Sequence, residues 1–289
     1  MNLNMNKKKI YTIVAVLILA VGGAGATWLA KSEKSNGLAG SVKHFAGKLI
    51  SQAAPQASEI ALRLPIVSPE ELALTAQTYV RPQPHTPMPI QTLYFYSDGK
   101  AASAADSGGF YREIFGKTAD GRLMVQDFYQ DTKLPQTSVL ILKNGSDGRN
   151  FTTGELDGRN IWFGKDGSLH SVADYANGAI QGAQVFYRDK QLVGAVMDKK
   201  MLVFHDDGKI LAVVENDSDD QSVVKTTLFR ADGSALVQSR MRGEEQVLSA
   251  AAWRNDGSQI RSRGDLEHAM QESLPLGKRA DTVLRLMHE

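Results

Sequence analysis

Residues 201–214 read MLVFHDDGKILAVV, two apolar runs separated by His205-Asp206-Asp207-Gly208-Lys209. An Asp-Gly pair between β-rich segments signals a hairpin. A type I′ turn needs positive φ at both central residues, which Asp or Asn tolerates and Gly adopts freely. Leu202-Val203-Phe204 and Ile210-Leu211-Ala212-Val213-Val214 are therefore expected to pair as antiparallel strands.

The same phrase returns along the chain: an aromatic, a few mixed residues, Asp-Gly, then often an aliphatic. It is YSDGK at 96–100, FGKTADGRL at 115–123, FGKDGSL at 163–169, FHDDGKI at 204–210, FRADGSAL at 229–236 and WRNDGSQI at 253–260. Its glycines, Gly99, Gly121, Gly167, Gly208, Gly233 and Gly257, are the expected structural turns; with Gly145 in one gap, most steps are 22 to 25 residues. Second turn signals fall between them, at 131–135, Asp157-Gly158, Asn177-Gly178, Asp189-Lys190, Asp198-Lys199, 216–220 and Arg242-Gly243. A fixed period of this size marks a repeat architecture, because one hairpin cannot bury its apolar face alone. The expected fold is mainly β, an antiparallel β-hairpin repeat meander of roughly 14 to 16 strands forming an elongated or curled sheet. A propeller is the less favoured form.

The aromatic-x-x-Asp-Gly-x-Leu/Ile phrase, alternating with Asn-Gly partners such as Tyr175-Ala176-Asn177-Gly178, resembles MORN-variant repeats over about residues 93–260. It is most similar to the bacterial YwqK-type antitoxin proteins. The steps drift, and the aromatic pairing of regular MORN copies is mostly missing. The resemblance implies a binding scaffold, with an immunity protein that neutralises a toxin as one form of it, and it transfers no catalytic residues.

The flanks divide the rest. Residues 10–30, IYTIVAVLILAVGGAGATWLA, carry no charge and follow Lys7-Lys8-Lys9. At about 1.5 Å rise per residue they reach roughly the 30 Å of a bilayer core. Positive charge stays cytoplasmic, so residues 1–30 are expected as a single-pass inner-membrane anchor with the C-terminal domain in the periplasm. The competing reading is a signal peptide cleaved after Ala26. Both export the remainder. Residues 31–90 read as a helical and Pro-rich linker region. Leu38, Val42, Phe45, Leu49, Ile50 and Ala53 recur at helical spacing, on the membrane surface or against the β domain. Ser68-Pro69-Glu70-Glu71 opens a short helix expected to run to about Tyr79. Pro82, Pro84, Pro87 and Pro89 are expected to form an extended spacer. Residues 91–262 form the β-repeat domain and 263–289 a C-terminal helical cap, with Asp265 placed to start it.

Thirty-three basic against 32 acidic residues give no basic excess for nucleic acid, and none is expected as a partner. Cysteine is absent, which removes disulfides and thiol catalysis. The six histidines show no metal-ligand spacing, so no metal or cofactor is expected. His205-Asp206-Asp207, the acids of 215–220 and Ser97-Asp98-Gly99-Lys100 all read as turns. The chain is therefore expected to be non-enzymatic and to bind another protein, either a toxin or a component of an envelope machine such as a pilus or secretion system. Trp162, Tyr175, Tyr187 and Trp253 are the expected partner-binding residues, because Trp and Tyr dominate interface energetics.

Overall fold

A computed structural model describes residues 50–243 and 246–288 of the 289. The expected membrane segment and most of the expected helix at 38–53 lie outside them; residues 50–53 are not helical. No helix among the described residues is long and apolar enough to cross a membrane.

The strands are β1 (Thr86–Phe95), β2 (Ala101–Ala102), β3 (Phe110–Lys117), β4 (Leu123–Tyr129), β5 (Leu140–Leu142), β6 (Leu156–Phe163), β7 (Leu169–Ala176) and β8 (Ala179–Ile180). After them come β9 (Ala183–Arg188), β10 (Gln191–Met197), β11 (Lys200–Phe204), β12 (Ile210–Asn216), β13 (Val223–Phe229), β14 (Ala235–Arg242) and β15 (Gln246–Ala252). They form a 15-stranded antiparallel meander in near-sequential order, with β15 at one end of the hydrogen-bonded path and β1 with β2 at the other. Among the described residues two α-helices accompany them, α1 (Pro69–Ala73) and α2 (Arg263–Leu286). The described residues divide into two compact units, one of residues 63–192 and the other of residues 50–62 with the described residues of 193–288.

All six repeat glycines sit at φ between +80° and +87°. The turn is not the expected two-residue type. In each copy the residue three before Gly accepts from the Gly N–H and also pairs with the residue after Gly, as in Gly208 N–H to His205 O (3.0 Å) and His205 N–H to Lys209 O (2.8 Å). That is a three-residue loop whose last residue is left-handed, and the ladder shifts beside it, between Val203 and Phe204. Only Gly needs positive φ here. The Asp works differently: its carboxylate accepts from the N–H two residues on, as Asp207 does from Lys209 (3.1 Å) and Asp232 from Ser234 (2.9 Å). The type I′ geometry falls instead on Asn177-Gly178, Asp189-Lys190 and Asp198-Lys199, where both residues have positive φ. Asp157-Gly158, expected as a turn, lies inside β6.

Continuous buried runs replace alternation. Met201 to Phe204 and Ile210 to Val214 are buried without interruption, so both faces of these strands are covered. In the second unit α2 packs on β11 to β14. It lies on the face that carries Gly194, where a Cβ would stand 2.6 Å from Met287 Sδ. Across β10 to β15, Gly194, Val203, Ala212, Leu228, Val237 and Ala252 occupy that face in register. Gln238 points to the opposite face, where it meets Gln52 at 2.7 Å. In the first unit, Ile114, Val125, Leu140, Leu142, Leu156, Ala173 and Tyr175 fill one face. Phe115, Met124 and Val139 fill the other, closed by Tyr79.

Gln52 and Tyr79 belong to residues 50–85, here called the strap. In the second unit Ile50 N–H bonds Ala250 O (3.0 Å) and Ala57 N–H bonds Gly233 O (3.3 Å), with Gln56 bridging Ser234. In the first, Ala76 N–H bonds Gly167 O (2.8 Å), Tyr79 Oη accepts from Val139 N–H (2.9 Å), and Arg81 pairs with Glu113 (2.6 Å) and Gln126 (2.7 Å). Pro84 lies so close to Gly116 that a Cβ there would stand 2.3 Å from it. The capping box forms, Ser68 and Glu71 exchanging hydrogen bonds, but α1 ends at Ala73. The prolines do not make a free spacer: Pro87 and Pro89 lie within β1, at a register shift between Pro87 and Gln91. A shift leaves residues out of the ladder, which is where a strand tolerates a missing N–H. The C-terminal cap is one helix with Pro275 inside it, and Ser262 takes the N-cap expected of Asp265.

Two substitutions separate the turn types. A Cβ at Gly208 meets nothing within 4 Å, so Gly208→Ala costs backbone strain alone, about 1 kcal/mol of unfolding free energy. Lys199→Gly, which relieves a Lys at φ +65°, is expected to add about 0.5 to 1 kcal/mol. Urea unfolding midpoints should move in opposite directions. The turn acids give a pH signature. Hydrogen bonds donated by Lys100, Ser168, Lys209, Ser234 and Ser258 hold Asp98, Asp166, Asp207, Asp232 and Asp256 below the usual carboxylate range. Stability from groups lowered on folding is full above their unfolded pKa near 4 and is lost as pH falls through the folded values. The Asp232→Asn variant is expected to show a shallower loss of melting temperature below pH 4 than the parent chain.

Candidate functional site

The four aromatics expected to contact a partner are packed against the protein itself. Trp253 is fully buried and its indole N–H bonds Gln52 O of the strap at 3.3 Å. Tyr175 belongs to the inner cluster of the first unit, with partly buried Trp162 edge-on to it at 6.1 Å. Tyr187 is buried near Arg159 and Glu71. The reason is the continuous apolar strands: where both faces are packed, an aromatic on either face becomes core.

The polar groups read as turns are engaged as turns. His205 Nε2 lies 3.1 Å from Phe229 O, Asp206 pairs with Arg279 (2.6 Å), and Asp207 receives Lys209. Asp217 pairs with Arg240 (2.6 Å) and Asp220 with Arg242 (2.8 Å). Hydrogen bonds from Ser222 and Arg242 hold the Asp220 carboxyl at about 2. Asp98 and Lys100 pair with each other across their hairpin turn. Among the described residues no group of three or more His, Asp or Glu is placed to hold a metal.

One interior feature carries no signature in the sequence. Arg112 and Asp127 form a two-toothed ion pair (2.6 and 2.8 Å) with both side chains almost wholly buried. The remaining guanidinium nitrogen donates to Gly148 O (3.0 Å) and Asn150 O (3.2 Å), and the Phe95 and Phe151 rings lie 5.7 and 5.2 Å away. Each charge is matched and hydrogen-bonded, which is what burial requires. The pair ties the 143–152 loop to β3 and β4. Its role is structural.

What remains accessible is on the strap and at one sheet edge. Ile66 and Val80 are the most exposed large apolar side chains among the described residues, at 91 % and 83 %. Both stand on main chain that is pinned close by. Arg159 donates to Ile66 O (2.6 Å) while pairing with Glu71 (2.9 Å) and Asp174 (3.0 Å). Val80 lies between Tyr79 and Arg81, each anchored to the sheet. The sequence did not single out either residue, since both lie in an irregular segment without periodicity.

The burial of Tyr175 is directly testable. Burial pushes its hydroxyl, and that of Tyr129, up to about 12. A group raised on folding contributes stability that is full below its unfolded pKa near 10 and is lost as pH rises toward 12. Absorbance titration should show a tyrosinate phase near pH 12 that shrinks in Tyr175→Phe; an unchanged phase would put the ring outside the core.

No protein-family model matches the chain and no curated protein matches it, so its functional reading rests on geometry.

Proposed function

We propose that this chain is a non-catalytic protein-binding scaffold, held on the periplasmic side of the inner membrane by residues 10–30, that contacts its partner along the strap at Ile66 and Val80. The exposure of these two side chains on a clamped main chain carries the reading. A β-branched side chain on fixed backbone loses little freedom when a partner covers it, which favours binding. The paired faces and cross-strand ion pairs leave few other apolar groups accessible.

An immunity protein neutralising a toxin is the form of this reading that the repeat resemblance supports. The alternative, an accessory factor of an envelope machine, drew on a Pro-rich stand-off spacer. That stretch enters the sheet at Thr86, which removes one of its supports.

Two measurements test the proposal. A photo-crosslinking side chain placed at Ile66 or Val80 of the full-length protein in cells is expected to capture one defined protein, and the same group at exposed Lys165 is expected to capture none. Ile66→Asp with Val80→Asp should weaken that complex tenfold or more, while unfolding free energy moves by less than about 0.5 kcal/mol. Equal adducts at all three positions would defeat the assignment. For topology, a reporter fused after Glu289 is expected to be active only in its exported form.

A further inference from the structure

We infer that β1 pairs edge to edge with β1 of a second copy of this chain, antiparallel across a twofold axis at Gln91. This is a different surface from the strap and does not depend on the proposal above.

The observation is an open sheet edge. Tyr96 N–H bonds Lys100 O across the hairpin, so Tyr96 points its backbone groups away from β3. Strand alternation sends those of Tyr94, Thr92 and Ile90 the same way. Tyr94 finds Ala102 of β2. Among the described residues Thr92 and Ile90 find nothing. Their side chains are exposed as well, Ile90 to 61 %. The regular ladder with β3 ends at Gln91, and Ile90 next to it lies in the register shift between Pro87 and Gln91, with Pro89 before it. The free window is therefore Ile90 to Leu93, and Gln91 is midway between its two outward-facing residues.

Proteins guard such edges with charge, prolines or bulges, because bare edges add strands. The window has a bulge and prolines before it and no charge in it: Thr86 to Phe95 reads TPMPIQTLYF. Antiparallel self-pairing sets Ile90 opposite Thr92 of the copy and Gln91 opposite Gln91. A neutral strand meets itself without repulsion, whereas a charged one would face its own sign. Pairing of Ile90 with Thr92 in both directions forms four backbone hydrogen bonds and satisfies every free group in the window.

The other end of the path explains why the pairing closes on itself. The outward carbonyls of β15 are taken within the chain, Ala250 O by Ile50 N–H (3.0 Å) and Ala252 O by Ile260 N–H (2.8 Å). Head-to-tail addition of β1 to β15 of another copy would have to displace these contacts. An isologous pair is what remains, and it ends at two chains.

The chain has no cysteine, so one introduced thiol reports without ambiguity. In the inferred register the two Gln91 Cα atoms form a non-hydrogen-bonded pair about 4.5 Å apart, within disulfide range. Purified full-length protein carrying Gln91→Cys is expected to convert mostly to a disulfide-linked dimer under mild oxidation, and Asn255→Cys to stay monomeric. Ile90→Lys should abolish the Gln91→Cys dimer and shift sedimentation to the monomer. Because residue 90 is exposed, its melting temperature should hold. Crosslinking of Gln91→Cys no stronger than Asn255→Cys would overturn the pairing, as would a disulfide from Gln91→Cys to a different protein in place of the copy.

Discussion

The fold depends on a left-handed glycine placed one residue after an acid that caps the chain two residues on. The glycine lets three residues reverse a strand, and the acid holds the returning N–H in place. The accompanying bulge raises the local twist, so each repeat starts its strand rotated against the last. Six such glycines, five of them with the acid's bond to the returning N–H, turn the strands of a chain with no disulfide to hold it. The intervening Asn-Gly and Asp-Lys turns have a different backbone, with two left-handed residues and no bulge. Three turns of the second type follow one another between Gly167 and Gly208, and two of them accept Lys at a strained φ where the first type has Gly.

A sheet made this way still has two faces to cover. In the second unit α2 takes one and the strap reaches the other at Gln238; in the first, Tyr79 and Arg81 of the strap close the face opposite the inner cluster. The strap consists largely of main chain without regular structure, and such backbone is costly to bury without partners. It is therefore bonded to the turns and strand ends it crosses. That is why its apolar side chains divide sharply: Ala76 and Tyr79 pack inward, while Ile66 and Val80 have no face left to join.

The strands, the meander and most turn positions, Asp157-Gly158 excepted, were legible in the sequence because Asp-Gly recurs at a period that few other structures would produce. The turn type was not, since Asp-Gly suits both a two-residue reversal and a bulged three-residue one. The burial of Trp253 and Tyr175 was legible in principle: runs such as Met201 to Phe204 and Ile210 to Val214 do not alternate, which signals strands packed on both sides. The strap left no periodic trace, because its contacts are single hydrogen bonds between an irregular segment and distant turns. Nor did Arg112, one charge among alternating residues, announce that it would be buried against Asp127.

The strap also has a consequence in time. Gln52 bonds Gln238 and accepts from Trp253, and Ser51 bonds Arg261, across sequence separations of 186, 201 and 210 residues. Ribosomes deliver residue 50 long before residue 261, so this stretch waits unpartnered while nearly the whole sheet is synthesised. Hairpins made of neighbours can zip as they emerge; the strap closes a loop of two hundred residues and so must dock late. Until then the Gln238 side of the sheet lacks its cover, and the nascent protein is most vulnerable to misassociation just before its last strand arrives.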